Sequence, residues 1–469
     1  MRSQHQIETL VPMAVLLPMI ILTEGFVSIA IEILAIRQLL PVVGSSIIVT
    51  SLIIGIFLLF LAIGYGRGGR VEFQLTEQLQ RNFFVTAVWA GIGLSYLFIH
   101  YFFMMTDKMT GTHTLYSLTF YLLVILAPIV YFLGQTLPIT MNLVRQTHSA
   151  GVIAGRALAL STIGSFLGSI LSTLVLMHYF GVAITIFIVF ICLVVMSFLL
   201  TTRLDVNIAH FVIASFVTLA VFYCNVIFER HYFVLSDAYA NYQILDKTNS
   251  NLIGRRILVV NESASSSVDD SNAAFPYVEQ IKKIILDDLK LTHANILVLG
   301  AGGFTISQTQ NSNFGNRYTY VDVDDQLKKI VVPKFIKKMD ARLVIDDARH
   351  FVNVTKNYYD VIVLDVYTNR ISIPAHLLTL QFFNAVKSRL AKHGVAIFNI
   401  IADPYFNDDY SRRIDNTIRA IFPNCTVTPI VYSDAFNNLI YVCSVEIKRD
   451  NTIYVDDKNN ATIDAFSVR

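Results

Sequence analysis

The sequence predicts a multi-span α-helical membrane domain followed by an α/β domain with a small β-region at its start. Three observations predict it: a change in charge density near residue 228, a series of long apolar runs ahead of that point, and alternating strands and helices behind it. Residues 1–228 hold 9 of the 36 Lys+Arg and 7 of the 34 Asp+Glu, while the rest of the chain holds 27 of each sign. The first half is lipid-like in composition and the second is soluble-like.

Apolar runs near 11–40, 46–66, 83–105, 115–144, 151–177, 180–201 and 207–228 each approach or exceed the roughly 20 residues that a bilayer requires, giving about seven helices. The first run is too long for a signal peptide and has no small-x-small cleavage site before Glu24, so it is expected to remain in the mature protein. In the fifth run, "STIGSFLGS" sets Gly164 and Gly168 four apart beside Ser161 and Ser165, a small-residue face for close helix packing. Glu24 and Glu32 lie in an apolar helix, where a carboxylate needs a partner or a wet cavity. "LGQTLP", ending at Pro138, interrupts the fourth run and predicts a kink or, alternatively, a ligand site.

From Tyr239 onward the pattern changes. "YQILDK" and "RRILVV" read as short paired strands, followed by the polar stretch "NESASSSVDDSN" and a helix from "AFPYVEQIKKIILDDL". Then "ILVLG", "YTYVDVD", "ARLVIDD", "YDVIVLDVY" and "GVAIFNII" alternate with helical segments, as a parallel sheet covered on both faces requires. "TVTPIVY" and "LIYVCSV" form an antiparallel hairpin at the end of the sheet. The expected domains are therefore 1–228 in the membrane, 229–280 as small β-region and linker, and 281–469 as a Rossmann-like domain.

Ligands of an open α/β sheet bind at the carboxyl ends of its strands. After the first of these strands, Gly300, Gly302 and Gly303 let the backbone approach a ligand closely. Asp322 ends the second strand about 20 residues on, where a carboxylate accepts from both ribose hydroxyls. Asp347 follows the third strand, placed for an adenine amino group, and Asp365 ends the fourth at the mouth of the pocket. One such carboxylate is often a helix cap; the ordered set points to an adenosyl site. The near-balanced net charge of +2 and the lack of a long basic run argue against nucleic-acid binding. Four cysteines without zinc spacing leave no expected metal.

The stretches "GAGGFT", "VDVD", "DDA" and "DVYTN" resemble, in order, the motifs of the spermidine synthase (polyamine aminopropyltransferase) family, whose fold is of the S-adenosylmethionine-dependent methyltransferase type. "EGFVSIAIEILAIRQLLPVVGSS" and "FLGQTLPITMN" are similar to the multi-span region of its membrane-fused members. The resemblance implies a transferase of polyamine biosynthesis in the inner membrane, using decarboxylated S-adenosylmethionine or S-adenosylmethionine as co-substrate, with Asp365 as general base. It also implies that Tyr277, Glu279 and Thr368 line the acceptor side. The sequence departs from the family where Gly303 and Thr368 replace aspartates that help hold a cationic amine, and where Asn261 replaces another. Three functions follow: aminopropyl transfer to an amine, methyl transfer to a membrane-resident acceptor, or a transporter or sensor that binds an adenosyl compound or polyamine without turnover. Oligomeric state is left open, with a homo-oligomer allowed.

Sidedness divides the signals. Arg67, Arg70 and Arg81, then Arg145 and Arg156, then Arg203 mark alternate loops as cytoplasmic, which after seven spans puts the soluble domain outside. Donor supply favours the cytoplasm, and that placement is the expectation. Cys425 and Cys443, symmetric about a turn near Asp434, read either as two small apolar strand residues or as a cross-strand disulfide of an oxidising compartment.

Overall fold

The computed structural model describes residues 12–44, 47–110, 114–144, 149–201, 208–236, 239–246, 255–261, 263–308, 314–336, 338–367, 373–433 and 435–444. They form two units. One takes in Met1–Asp270 with Gln326–Lys337 and Tyr367–Ser372; the other takes in Ser271–Asp325, Lys338–Val366 and Ile373–Arg469. The division at Asp270 groups the small β-region with the helical unit and falls ten residues ahead of the expected start of the Rossmann-like domain at 281.

Among the described residues of the first unit five helices are long and apolar enough to cross a bilayer: Val15–Val43, Ile47–Gly68, Leu115–Val144, Gly151–Leu199 and Val212–Tyr232. The pair Leu75–Gly93 and Tyr96–Thr106, bent by 67°, makes a sixth span when counted as one. Large apolar side chains such as Ile48, Leu58, Phe166, Leu174 and Phe216 point outward on these helices, as lipid-facing surfaces do.

The helices starting at Met13 and Ala150 pack closely because a Cβ on Gly164 would collide with the Leu22 carbonyl, and one on Gly168 with that of Phe26. In the same interface Glu24 is buried and accepts from Ser28 Oγ at 3.2 Å and Ser161 Oγ at 3.0 Å. The "LGQTLP" stretch is a break at Gln135 between Ala127–Gly134 and Thr136–Val144. The Gln135 side-chain amide donates to the Tyr131 carbonyl at 3.3 Å, satisfying an oxygen near the break.

The small sheet is an antiparallel meander of β1 (Leu235–Ser236), β2 (Asn241–Asp246), β3 (Arg256–Val260) and β4 (Ser263–Val268). The serine-rich stretch, read from sequence only as polar, supplies β4. Its serines show no apolar alternation, so periodicity does not reveal it; the ladder to β3 and the burial of Ser266 and Ser267 do.

The second unit carries β5 (Asn295–Leu299), β6 (Arg317–Asp322), β7 (Ala341–Ile345), β8 (Tyr359–Leu364), β9 (Leu390–Ala402), β10 (Cys425–Pro429) and β11 (Asn437–Ser444). Their order across the sheet is β10-β11-β9-β8-β5-β6-β7. The pairs from β7 to β9 are parallel, and β11 runs antiparallel to both of its neighbours. Ile296 to Leu299, Val361 to Leu364 and Ala396 to Phe398 are fully or almost fully buried, as central strands covered on both faces must be. The order reverses at β5 and β8, which places the topological switch point between the ends of those two strands.

Candidate active site

β5 runs into its glycine turn with Gly300 at φ +91° and Gly302 at φ +47°. A side chain at Gly300 would strike the Asp365 carbonyl oxygen, so glycine is needed there for the β5 and β8 ends to meet. Gly303 is buried within the turn. Phe304 closes it in a left-handed conformation at φ +56°, fully buried and edge-on to Tyr320 at 5.1 Å between ring centroids.

Asp322, at the end of β6, is tied to this turn. Its Oδ2 accepts from the Ala301 N–H at 2.9 Å and its Oδ1 from the Asp324 N–H at 3.1 Å. Burial pushes its carboxyl above the ordinary range, against the opposing effect of these backbone hydrogen bonds. The Val323 N–H is a third backbone donor to this carboxylate, and of about four acceptor sites on a carboxylate one is left to receive a ligand hydroxyl beside the loop.

Asp347 caps the helix Ala348–Val354, accepting from the His350 N–H at 2.9 Å through Oδ1, while Oδ2 lies 3.1 Å from His376 Nε2. Burial acts to raise its pKa but is outweighed by the hydrogen bonds from His350 and His376, so the carboxyl titrates below its ordinary value. The preceding Asp346 faces the His350 ring at 2.8 Å.

Asp365 follows β8. Its Oδ1 accepts from the Asn399 side-chain amide at 2.8 Å, and its Oδ2 accepts from the Tyr277 hydroxyl at 3.3 Å. Asn399 in turn accepts from the Asn438 amide at 2.8 Å, so β8, β9 and β11 share one polar chain. Burial pushes the Asp365 carboxyl up, and the two hydrogen bonds only partly offset it. A carboxylate held this way is a better proton acceptor than a solvated one.

Tyr277 and Glu279 lie on the helix Pro276–Lys283. Glu279 Oε1 accepts from the Ala274 N–H at 2.7 Å and pairs with Lys282 Nζ at 2.9 Å, which ties it to its own helix start. Thr368 lies outside the described residues. Asn399, Asn438 and His376 were missed from sequence; the one signal for Asn399 is a polar residue inside the apolar strand "GVAIFNII". A pocket of about 660 Å³ opens at the opposite, amino ends of the strands, among Asn295, Arg317, Tyr318, Arg342 and Tyr359. It contains none of the aspartates above, so chemistry rather than cavity size selects the site.

The sequence of the second unit is similar to known proteins. Residues 274–454 match the spermine/spermidine synthase domain. The polyamine aminopropyltransferase of Sulfolobus acidocaldarius is 28% identical over 198 residues, covering 39% of this chain and 62% of the relative. That of Caldicellulosiruptor saccharolyticus is 25% identical over 196 residues, 40% of this chain and 67% of the relative. The chain thus spans about three fifths of the length of the first of these relatives. Among solved structures, a probable spermidine synthase from Corynebacterium glutamicum is similar at 20% identity and a TM-score of 0.39, over 46% of this chain and 80% of that one. The carboxyl-terminal part of the chain, residues 274–454, is thus similar to the spermine/spermidine synthase domain and to curated polyamine aminopropyltransferases.

Proposed function

We propose that the protein is a membrane-embedded aminopropyltransferase that moves the aminopropyl group of decarboxylated S-adenosylmethionine to an amine. The observation that carries this is the Asp365 carboxylate at the β5/β8 switch point, bonded by Asn399 and Tyr277, beside a glycine turn pinned by Asp322. In the reaction the acceptor nitrogen forms a bond to the carbon next to the sulfonium. The carbon–sulfur bond breaks with its electron pair passing to sulfur, and Asp365 takes the proton that the nitrogen loses. Asp322 would receive a ribose hydroxyl, and Gly300, Gly302 and Gly303 would admit the donor to the strand ends. Asp347 would face the adenine, while Tyr277, Glu279 and Thr368 would border the acceptor. Most of the chemistry is alignment, since a sulfonium is already a good leaving group.

A second reading, methyl transfer from S-adenosylmethionine to a membrane-resident acceptor, is favoured by one observation. Gly303 and Thr368 stand where the family carries carboxylates, and a dication needs such groups to replace its water. Products separate the readings. Purified protein given each donor with a panel of amines is expected to release methylthioadenosine. S-adenosylhomocysteine as the sole nucleoside product would establish methyl transfer, and neither product would leave a binding protein.

A further inference from the structure

Helix Gly151–Leu199 has 49 residues, which at 1.5 Å per residue is about 73 Å, more than twice a hydrocarbon core of about 30 Å. It is broken at Gly181, whose φ of 82° and ψ of 175° lie outside any helix. The apolar stretch is therefore two crossings that turn at Gly181. With the bent pair counted as one, the first unit has seven.

Contacts inside this unit sort the helix ends into two levels. At one level, a Cβ on Gly181 would lie 3.0 Å from the Ser236 carbonyl in β1, and Ala183 N–H donates to Glu229 at 3.4 Å. Arg37 donates to Asn241 of β2 at 2.9 Å, Gln38 to the Leu94 carbonyl at 3.2 Å, and Tyr96 packs on Tyr232 and Phe233. At the other level, Asn142 donates to the Val71 carbonyl at 3.1 Å and Ser197 to that of Gln80 at 3.0 Å. Among the described residues, Arg67, Arg70, Arg81 and Arg156 fall on the segments of this second level, and Arg145 and Arg203 lie outside the described residues. Among the described residues of the helical region, the level of the small sheet has Arg37, Lys108 and Arg230, and Arg37 is buried there on Asn241. By the positive-inside tendency the arginine level is cytoplasmic. The small sheet is then outside, and no described helix after Tyr232 is long and apolar enough to bring the chain back.

An independent observation comes from the far end of the chain. Cys425 and Cys443 are directly paired in the β10/β11 register, with Cα atoms 4.2 Å apart, and are joined as a disulfide. Structural disulfides belong to oxidising compartments. We infer that the chain from residue 233 through Ser444 works on the extracytoplasmic side of the membrane, with Cys425–Cys443 as a structural disulfide, so that the Asp365 site draws its acceptor from that side. This reverses the cytoplasmic placement that donor supply suggests, and it holds whichever group the site transfers. Disulfide formation removes two protons and two electrons from the thiols, which pass to a disulfide-bearing oxidant of that compartment and reduce it to a dithiol.

The test uses the full chain in intact cells with a membrane-impermeant maleimide. Asn384→Cys and, as a second position, Lys392→Cys lie on exposed sites of the soluble unit, and Arg70→Cys lies on the arginine level. Labelling of Asn384→Cys or Lys392→Cys in intact cells, with Arg70→Cys labelled only after lysis, is expected; the reverse pattern overturns the inference. In acid-quenched cells, denatured unmodified protein should gain two more maleimide adducts after reduction than before it. Equal labelling with and without reduction overturns the disulfide and, with it, the oxidising side. Neither readout depends on turnover, so failure here and failure of the proposed reaction are distinguishable.

Discussion

The side-chain amide of Asn399, in the middle of β9, donates to the Asp365 carboxylate at 2.8 Å from a position 1% exposed to solvent. It holds one face of the carboxylate while Tyr277 holds the other. Asn399→Ala removes a buried charge-assisted hydrogen bond, a loss of about 1 to 3 kcal/mol, or about 5- to 150-fold in the steps that need the ionised form. Turnover should fall and its acid limb should move to higher pH. An Asn399 that merely filled space would leave the limb unmoved.

Asp365 itself sets a pH signature. Its folded pKa is raised by burial, so activity should begin to fall on acidification above the ordinary aspartate value of about 4. The sign for stability is opposite. A raised carboxyl favours folding below the unfolded pKa, and this contribution is lost as pH rises through the folded one. Asp365→Asn should therefore abolish turnover yet melt at the same or a higher temperature than the parent at pH 7, with the two curves converging below about pH 4. Calorimetry across that range checks it.

Asp322→Ala should weaken adenosyl-donor binding by about 1 to 3 kcal/mol and also release the Ala301 N–H that it holds. Titration calorimetry reads the first effect and hydrogen exchange at the glycine turn the second. Unchanged affinity would remove Asp322 from the site.

Asp347→Ala carries a stability cost, because the carboxylate caps a helix and faces His376. Loss of the cap alone is worth about 0.5 to 2 kcal/mol. With its folded pKa lowered, the contribution is present above the unfolded value and lost as pH falls through the folded one. Parent and variant should thus differ in denaturant midpoint at pH 7 and converge in acid.

Gly300→Ala should disrupt the site with the rest of the sheet intact. The substitution adds strain at positive φ, about 1 to 3 kcal/mol, and a collision with the Asp365 backbone. Loss of donor binding with preserved far-ultraviolet dichroism is the expected result.

What sequence revealed and what it hid follow from range. The strands β5 to β9 are short apolar runs bounded by turn residues, a local pattern, and the aspartates at their ends are fixed by the same boundaries. The apolar runs 151–177 and 180–201 are parted in the sequence by His178 and Tyr179, whereas the backbone break itself, at Gly181 inside the second run, is explicit only in three dimensions. β4 escaped because paired serines satisfy a ladder without any apolar period. His376 lies 29 positions from Asp347 and Asn438 lies 39 from Asn399, and no local pattern connects such partners. The cap role of Asp347 was the ordinary alternative for a strand-end aspartate, and its geometry to His350 is explicit only in three dimensions.

β11, placed between β9 and β10, has a consequence for how the protein is made. The strand that braces Asn399 through Asn438 is the last of the described strands to leave the ribosome. Until it slots in, β9 has an open edge and the proton acceptor lacks the outer part of its support. A nascent chain stopped before Asn437 would hold the glycine turn, Asp322 and Asp365, yet leave them unbraced. Synthesis of β11, rather than docking of any one helix, is the event that readies the site, and termination before Asn437 should leave an aggregation-prone sheet rather than a slower enzyme.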